Sequence, residues 1–148
     1  MENAMGFFGK SNQHQDALIE EDAVNLKTLQ AVLTAAYMEC ELDRDGDLYI
    51  ADGLEYPIWV MPDFENISIN LYSTHQEEGI ATLRFADRIN QLNSIRFCQY
   101  RLDGDALHGN YWFFYNGGLY PKLFVRSIRQ FSSAFIFGIR KTKSGVLL

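Results

Sequence analysis

The chain has 148 residues, of which 47% are hydrophobic and 22% are charged, which is typical of one globular domain that folds without a disulfide or a metal. Its net charge of −6 argues against a nucleic-acid partner, because a phosphate backbone is bound by clustered Lys and Arg. No run of residues approaches the roughly 20 apolar residues of a membrane span. Cys40 and Cys98 lack CxxC spacing and are typical of free thiols in a cytosolic protein. We therefore expect a cytoplasmic protein with no membrane partner.

Apolar periodicity predicts eight elements in the order α-β-β-β-α-β-β-α. Helical spacing of the apolar residues predicts three helices, over 22–38, 76–93 and 120–138. Strand-like runs bounded by turn residues predict five strands, at 48–51, 56–61, 67–72, 95–102 and 107–115. The aromatic run Tyr111–Tyr115 is apolar on both faces, so we expect its strand to be central and covered on both sides.

This order predicts a single α+β domain in which an antiparallel sheet has helices packed on one side. The domain is expected to span residues 21–140. Residues 10–15 are polar and aperiodic, which predicts a flexible N-terminal tail over residues 1–20, and residues 141–148 are expected to form a C-terminal tail.

Four segments of the sequence are similar to segments of a known family. They are the turn Asp45–Leu48, the helical segment Phe85–Asn93, the strand and turn Tyr100–Asp105, and the helix after Leu119. Together with the element order, they resemble the YbjN-like family of bacterial proteins. These are proposed sensory-transduction regulators that share the fold of type III secretion chaperones. The likeness covers residues 22–138 and rests on structural motifs. It implies a non-enzymatic, dimeric, protein-binding or regulatory module without active-site residues. Asn90 and Asn93 are its most family-like feature, and we interpret them as helix-ending residues that cap neighbouring backbone.

No candidate chemical site has both the residue spacing and the shared strand face that its chemistry requires. A calcium loop starting at Asp43 needs Gly at its sixth position and Glu at its twelfth, but Leu48 and Leu54 stand there, which favours a turn. The three histidines lack the spacing of a zinc site. With a two-residue turn, strand alternation places His108 opposite Gln99 or Arg101 and on the face away from Cys98. Only a three-residue loop would allow a Cys–His catalytic pair. We predict no catalytic residue, metal or cofactor.

Two apolar surfaces are candidates for binding. Trp59, Met61 and Tyr72 are predicted to face outward and to bind a protein segment, through a sheet edge or an aromatic groove. The last helix has an apolar surface wider than one stripe, which predicts more than one neighbour. We assign a homodimer interface to its main stripe, which consists of Phe124, Ile128, Phe131 and Phe135.

The leading hypothesis is a chaperone-like or regulatory adaptor with an unidentified protein partner. Two alternatives stay open. A small enzyme would need polar groups that converge only in the folded chain, such as Glu55, His75 and Asp87. A dimeric accessory protein would have no ligand.

Overall fold

The computed structural model of the chain describes residues 17–76, 92–93, 97–104 and 106–143. Within those ranges the helices are α1 (Leu26–Ala35) and α2 (Pro121–Lys143), and a short 3-10 turn, Glu21–Ala23, precedes α1. The strands are β1 (Cys40–Leu42), β2 (Leu48–Ile50), β3 (Ile58–Asp63), β4 (Ser68–Gln76), β5 (Gln99–Asp103) and β6 (Ala106–Phe114). The predicted helix over 76–93 lies outside the described residues apart from its two ends. Neither described helix is long and apolar enough to cross a membrane.

The strands form one antiparallel sheet in the order β1-β2-β3-β4-β6-β5, which confirms the predicted α+β class. Strands β4 and β6, the fourth and fifth in this order, pair over nine residues, from Ser68 opposite Phe114 to Gln76 opposite Ala106. Because the sheet is antiparallel and its strands alternate, one face can be buried while the other meets solvent. Both helices pack on the same face, α2 on β4 and β6 and α1 on β1 and α2.

Helix α1 is shorter than predicted because local chemistry sets its ends. The side chain of Asn25 accepts a hydrogen bond from the Thr28 N–H at 2.9 Å, and the Thr28 hydroxyl accepts one from the Asn25 N–H. This reciprocal capping box satisfies two of the free N–H groups at the helix start. The helix ends at Ala35, and Tyr37 follows with a φ of +59°, a left-handed conformation that the helix cannot continue through. Leu29 and Leu33 then face the core with no exposed surface.

The four residues assigned to a homodimer interface fill the core of the single chain, so that assignment is wrong. Phe124, Ile128, Phe131 and Phe135 have no exposed surface. The ring of Phe124 meets Phe113 of β6 at a centroid distance of 5.4 Å. The stripe therefore packs on the sheet of its own chain and leaves no surface for a second copy.

Three further expectations differ from the structure. Strand β1 was not predicted, because three residues are too few to show alternation, and its hairpin with β2 holds it in the sheet. Strand β6 is covered on one face only, since Trp112 is 41% and Phe114 is 64% exposed. The folded unit also extends beyond 21–140, because Ile19 exchanges two backbone hydrogen bonds with Leu119 and α2 reaches Lys143. Of the expected tail over 1–20, residues 1–16 lie outside the described ranges.

We expect Phe131→Ala to lower the free energy of unfolding by about 3–5 kcal/mol, because it removes a ring from the core and leaves a cavity. The folded variant should keep the molecular mass of the wild type, since the ring is not at a subunit interface. Denaturant unfolding and light scattering measure the two quantities. Phe137→Ala on the same helix is the control and should cost well under about 1 kcal/mol, because Phe137 is exposed. A drop in mass without a loss of stability would contradict the core assignment.

Candidate functional site

A row of aromatic side chains crosses the sheet face that carries neither described helix. Tyr49 of β2 lies opposite Trp59 of β3, and Trp59 lies opposite Tyr72 of β4. Trp59 and Tyr72 stack with their ring centroids 5.5 Å apart and their planes 8° apart. Tyr49 packs on the other side of Trp59 at 5.0 Å. Each strand contributes these rings because the neighbouring residues along it point into the core.

A hydrogen bond to a carboxylate fixes the ring at the β4 end of this row. The Tyr72 hydroxyl donates to Oδ2 of Asp47 at 2.8 Å. Burial raises the pKa of Asp47, the hydrogen bond from Tyr72 lowers it, and the charges of Asp43 and Asp45 raise it further. Burial also raises the pKa of Tyr72, and the negative charge of Asp47 adds to the effect. The phenol therefore stays protonated and keeps donating, which holds the ring in its stacked position.

More apolar side chains extend the row towards one end of the sheet. Met61 lies opposite Asn70, and Asn70 lies opposite Trp112 on β6. Phe114 follows two residues later on the same strand and face, opposite Ser68. We call Tyr49, Trp59, Met61, Tyr72, Trp112 and Phe114 together the open aromatic face. The other end of β6 on this face is polar, where His108 lies opposite Arg101 and 3.6 Å from the Asp103 carboxylate.

The sequence anticipated only part of this surface. Trp59, Met61 and Tyr72 all lie on it, half-buried and pointing away from the core. Tyr49 was missed, although its place between the apolar residues Leu48 and Ile50 gives the alternation that would have found it. Trp112 and Phe114 were missed because five consecutive aromatic residues hide the alternation along β6.

The remaining candidate groups have structural roles. The Asp43 carboxylate accepts hydrogen bonds from the N–H groups of Asp45 and Asp47, both at 2.9 Å, which confirms the turn. The Asn93 side chain accepts from the Tyr100 N–H at 2.7 Å and donates to its carbonyl, which confirms backbone capping by Asn93. Asn90 lies outside the described residues.

The predicted separation of Cys98 from His108 is confirmed. His108 lies opposite Arg101, and Cys98 points to the other face, where its sulfur and the Phe135 ring both border Gly109. Burial raises the pKa of Cys98 to about 12, so its thiol is protonated at neutral pH.

Of the three polar groups named for an enzyme, the two that the structure describes, Glu55 and His75, have different hydrogen-bond partners. Glu55 is exposed and accepts a hydrogen bond from the Ser133 hydroxyl, whereas His75 lies beside the Tyr56 hydroxyl at 3.3 Å. Asp87 lies outside the described residues. A shallow cleft of about 320 Å³ opens at the β1 edge and includes neither Glu55 nor His75. Within the ranges that the structure describes, no group of three His, Cys, Asp or Glu could hold a metal ion.

The fold belongs to a recognisable class, because similarity to solved structures shows that it is YbjN-like. One similar structure is YbjN from E. coli, a proposed transcription regulator, with a TM-score of 0.65 and 16% sequence identity over 82% of this chain and 93% of that one. Another is an uncharacterized protein from Methanothermobacter thermautotrophicus, with a TM-score of 0.59 and 13% identity over 82% of this chain and 98% of that one. At these identities the likeness shows the fold alone. No family model and no curated protein matches the sequence.

We expect Tyr72→Phe to lower the free energy of unfolding by about 1.5–3 kcal/mol at neutral pH, the range for a hydrogen bond to a charged group. The variant keeps the stacked ring but removes the hydrogen bond that lowers the pKa of Asp47, so this pKa should rise further. Carboxyl NMR titration and urea unfolding measure the two effects.

The direction in which the pKa of Asp47 is shifted determines how its contribution to stability changes with pH. The folded-state pKa of Asp47 lies above its ordinary value of 3.8, so its contribution to stability is present below that pH. The contribution is lost as the pH rises through the folded-state pKa. The hydrogen bond from Tyr72 opposes this loss because it stabilises the ionised carboxylate, so the cost of Tyr72→Phe should be largest at neutral pH and shrink on acidification. An equal cost at pH 4 and pH 7 would contradict the hydrogen bond to an ionised Asp47.

We expect a thiol reagent such as DTNB to modify one cysteine of the native protein at pH 8 and both after denaturation. Cys98 is buried and its pKa is about 12, which leaves roughly one thiolate in ten thousand. Cys40 is half-buried, and burial raises its pKa as well, so its reaction should be slow but complete. Cys40→Ala should abolish the native reaction, whereas Cys98→Ala should preserve it. The reverse pattern would contradict the burial of Cys98.

Proposed function

We propose that the protein is a non-enzymatic, cytoplasmic binding module, a regulatory or chaperone-like adaptor that captures a protein segment on its open aromatic face. The observation that carries the proposal is the set of exposed and half-exposed aromatic rings on one side of a rigid sheet. Apolar surface of this kind on one face of a domain is typical of an interaction site. Trp and Tyr are also the residue types that contribute most to protein interfaces.

The geometry of the rings favours binding at low entropic cost. Trp59 is held between Tyr49 and Tyr72, and the hydroxyl of Tyr72 is held by Asp47. Side chains that are already ordered lose little rotamer freedom when a partner covers them. Beside these fixed rings, the more exposed Trp112 and Phe114 offer the area that a partner would bury.

The face is a better docking surface than the edges of the sheet. Strand β1 forms one edge and has only three residues, which gives an added strand few backbone groups to pair with. Strand β5 forms the other edge and carries the charged residues Arg101 and Asp103. Charged side chains at a sheet edge disfavour pairing with another strand.

The shared fold supports a regulatory role, since the similar structure of YbjN is that of a proposed transcription regulator. Homodimer formation stays a prediction of the family resemblance. A dimer would have to use side chains other than Phe124, Ile128, Phe131 and Phe135, because these are buried.

Affinity capture from extract of the native host, quantified by mass spectrometry, tests the proposal. We compare the wild type with the double variant Trp112→Ser and Phe114→Ser. These exposed side chains contribute little to the core, so a loss of binding would not reflect unfolding. The matched control is Tyr37→Ser with Tyr120→Ser, which removes two exposed aromatic rings elsewhere.

A partner of the open aromatic face should be recovered equally by the wild type and the control and at least about tenfold less by the Trp112→Ser, Phe114→Ser variant. Thermal unfolding of all three proteins checks that each is folded. The proposal fails if no captured protein shows this pattern.

A further inference from the structure

The charges of this acidic protein are divided unevenly along the chain. Residues 106–148 contain six Lys or Arg and no Asp or Glu. The net charge of −6 is therefore the sum of +6 on this segment and −12 on residues 1–105. All six cations lie within the bounds of α2, so one helix carries the positive charge of the segment. Such asymmetry indicates a partner of opposite charge.

Four of the six cations of α2 lie on the side of the helix that faces away from the sheet. Lys122, Arg126, Arg129 and Arg140 are exposed, whereas the buried stripe of the helix faces the core. Among the described residues, no Asp or Glu forms an ion pair with Arg126, Arg129 or Arg140. These three guanidinium groups are therefore available to carboxylates from outside the chain.

Two exposed apolar side chains, which we call the apolar seam, lie beside the cations. Leu123 and Phe137 are 49% and 48% exposed and are two heptads apart, with the polar Gln130 midway between them. The ammonium group of Lys141 lies 5.3 Å from the centre of the Phe137 ring, so charge and apolar area adjoin there. A seven-residue repeat keeps side chains on one line along a helix and is the spacing at which a second helix packs.

We propose that the outer face of α2 docks an acidic amphipathic helix of a partner protein. Apolar side chains of that helix would meet Leu123 and Phe137, which are about 21 Å apart along the axis at 1.5 Å per residue. Its carboxylates would meet Arg126 and Arg140, which take the flanking g positions of a coiled coil when Leu123 and Phe137 take the d positions, and Arg129 lies further out on the same side of the helix. This surface lies on the opposite side of the molecule from the open aromatic face and does not depend on the function proposed for that face.

A discrete helix fits this face better than a nucleic acid or an anionic membrane. Both of these are extended polyanions, and they would also approach the parts of the molecule that carry the charge of −12. Screening limits an attraction to about 8 Å at physiological salt, so a partner confined to α2 gains from its cations without meeting most of the acidic residues.

Fluorescence anisotropy with a labelled three-heptad peptide tests the proposal. In each seven-residue repeat, labelled a to g, the probe has Leu at the a and d positions and Glu at the e and g positions. Repulsion between the Glu residues keeps the probe from pairing with itself. The test variant is Arg126→Glu, Arg129→Glu, Arg140→Glu. The matched control is Lys27→Glu, Arg44→Glu, Arg101→Glu, which changes the net charge equally on other exposed sites. A second variant, Leu123→Ser with Phe137→Ser, removes the seam and keeps the charges.

We expect the wild type and the control triple variant to bind the peptide with dissociation constants within about threefold of each other. The α2 triple variant should bind at least about tenfold more weakly, and the seam variant should lose a similar factor. A peptide of the same composition without the heptad order should bind about tenfold more weakly to the wild type.

Four outcomes would overturn the proposal. They are no peptide binding at about 0.5 mM, equal losses in the two triple variants, tighter binding of a 20-base-pair DNA duplex or of phosphatidylserine vesicles, and a self-association that the α2 triple variant abolishes. The last outcome would identify a second copy of the chain as the occupant. Because the open aromatic face is intact in every variant, failure here is distinguishable from failure of the proposed function.

Discussion

The close approach of α2 to the sheet at Gly109 is the contact on which the rest of the structure depends. A Cβ atom at this position would overlap the Phe135 ring and lie 2.7 Å from the Cys98 sulfur, so only glycine allows the helix to sit this near to β6. Polar groups then fix the helix, because the Tyr100 hydroxyl donates to the carbonyls of Ala134 and Phe135, at 2.9 and 3.0 Å. With α2 fixed, the helix-facing side chains of the sheet form the core.

This arrangement gives the molecule two outward surfaces of different chemistry. The sheet turns stacked aromatic rings outward, and α2 turns arginines and a narrow apolar seam outward on the opposite side. The partners that we propose for the two surfaces would therefore not compete with each other. The acidic remainder of the chain is the reason that we propose a small, discrete anionic partner for the cationic face.

Prediction from the sequence succeeded where a local pattern has one physical cause. Alternation from Ile67 to Tyr72 predicted β4 and the outward direction of Tyr72, because a half-buried strand must alternate. The same reasoning failed on β6, where apolar residues occupy both faces whether or not anything covers the second one. It failed again on α2, because an apolar stripe looks the same whether it meets its own sheet or a second chain.

The sequence by itself therefore determined the α+β class, most of the described strands, the capping role of Asn93 and the absence of a Cys98–His108 pair. These features depend on residues that are close together in the chain or on the alternation of side chains between the two faces of a strand, and the order of residues specifies both. Only the tertiary structure decided that Phe131 lies in the core, that Trp112 and Phe114 lie in the open, and that Tyr72 donates to Asp47. Each of these depends on which face a distant element covers, and that choice is set by the packing of the whole chain.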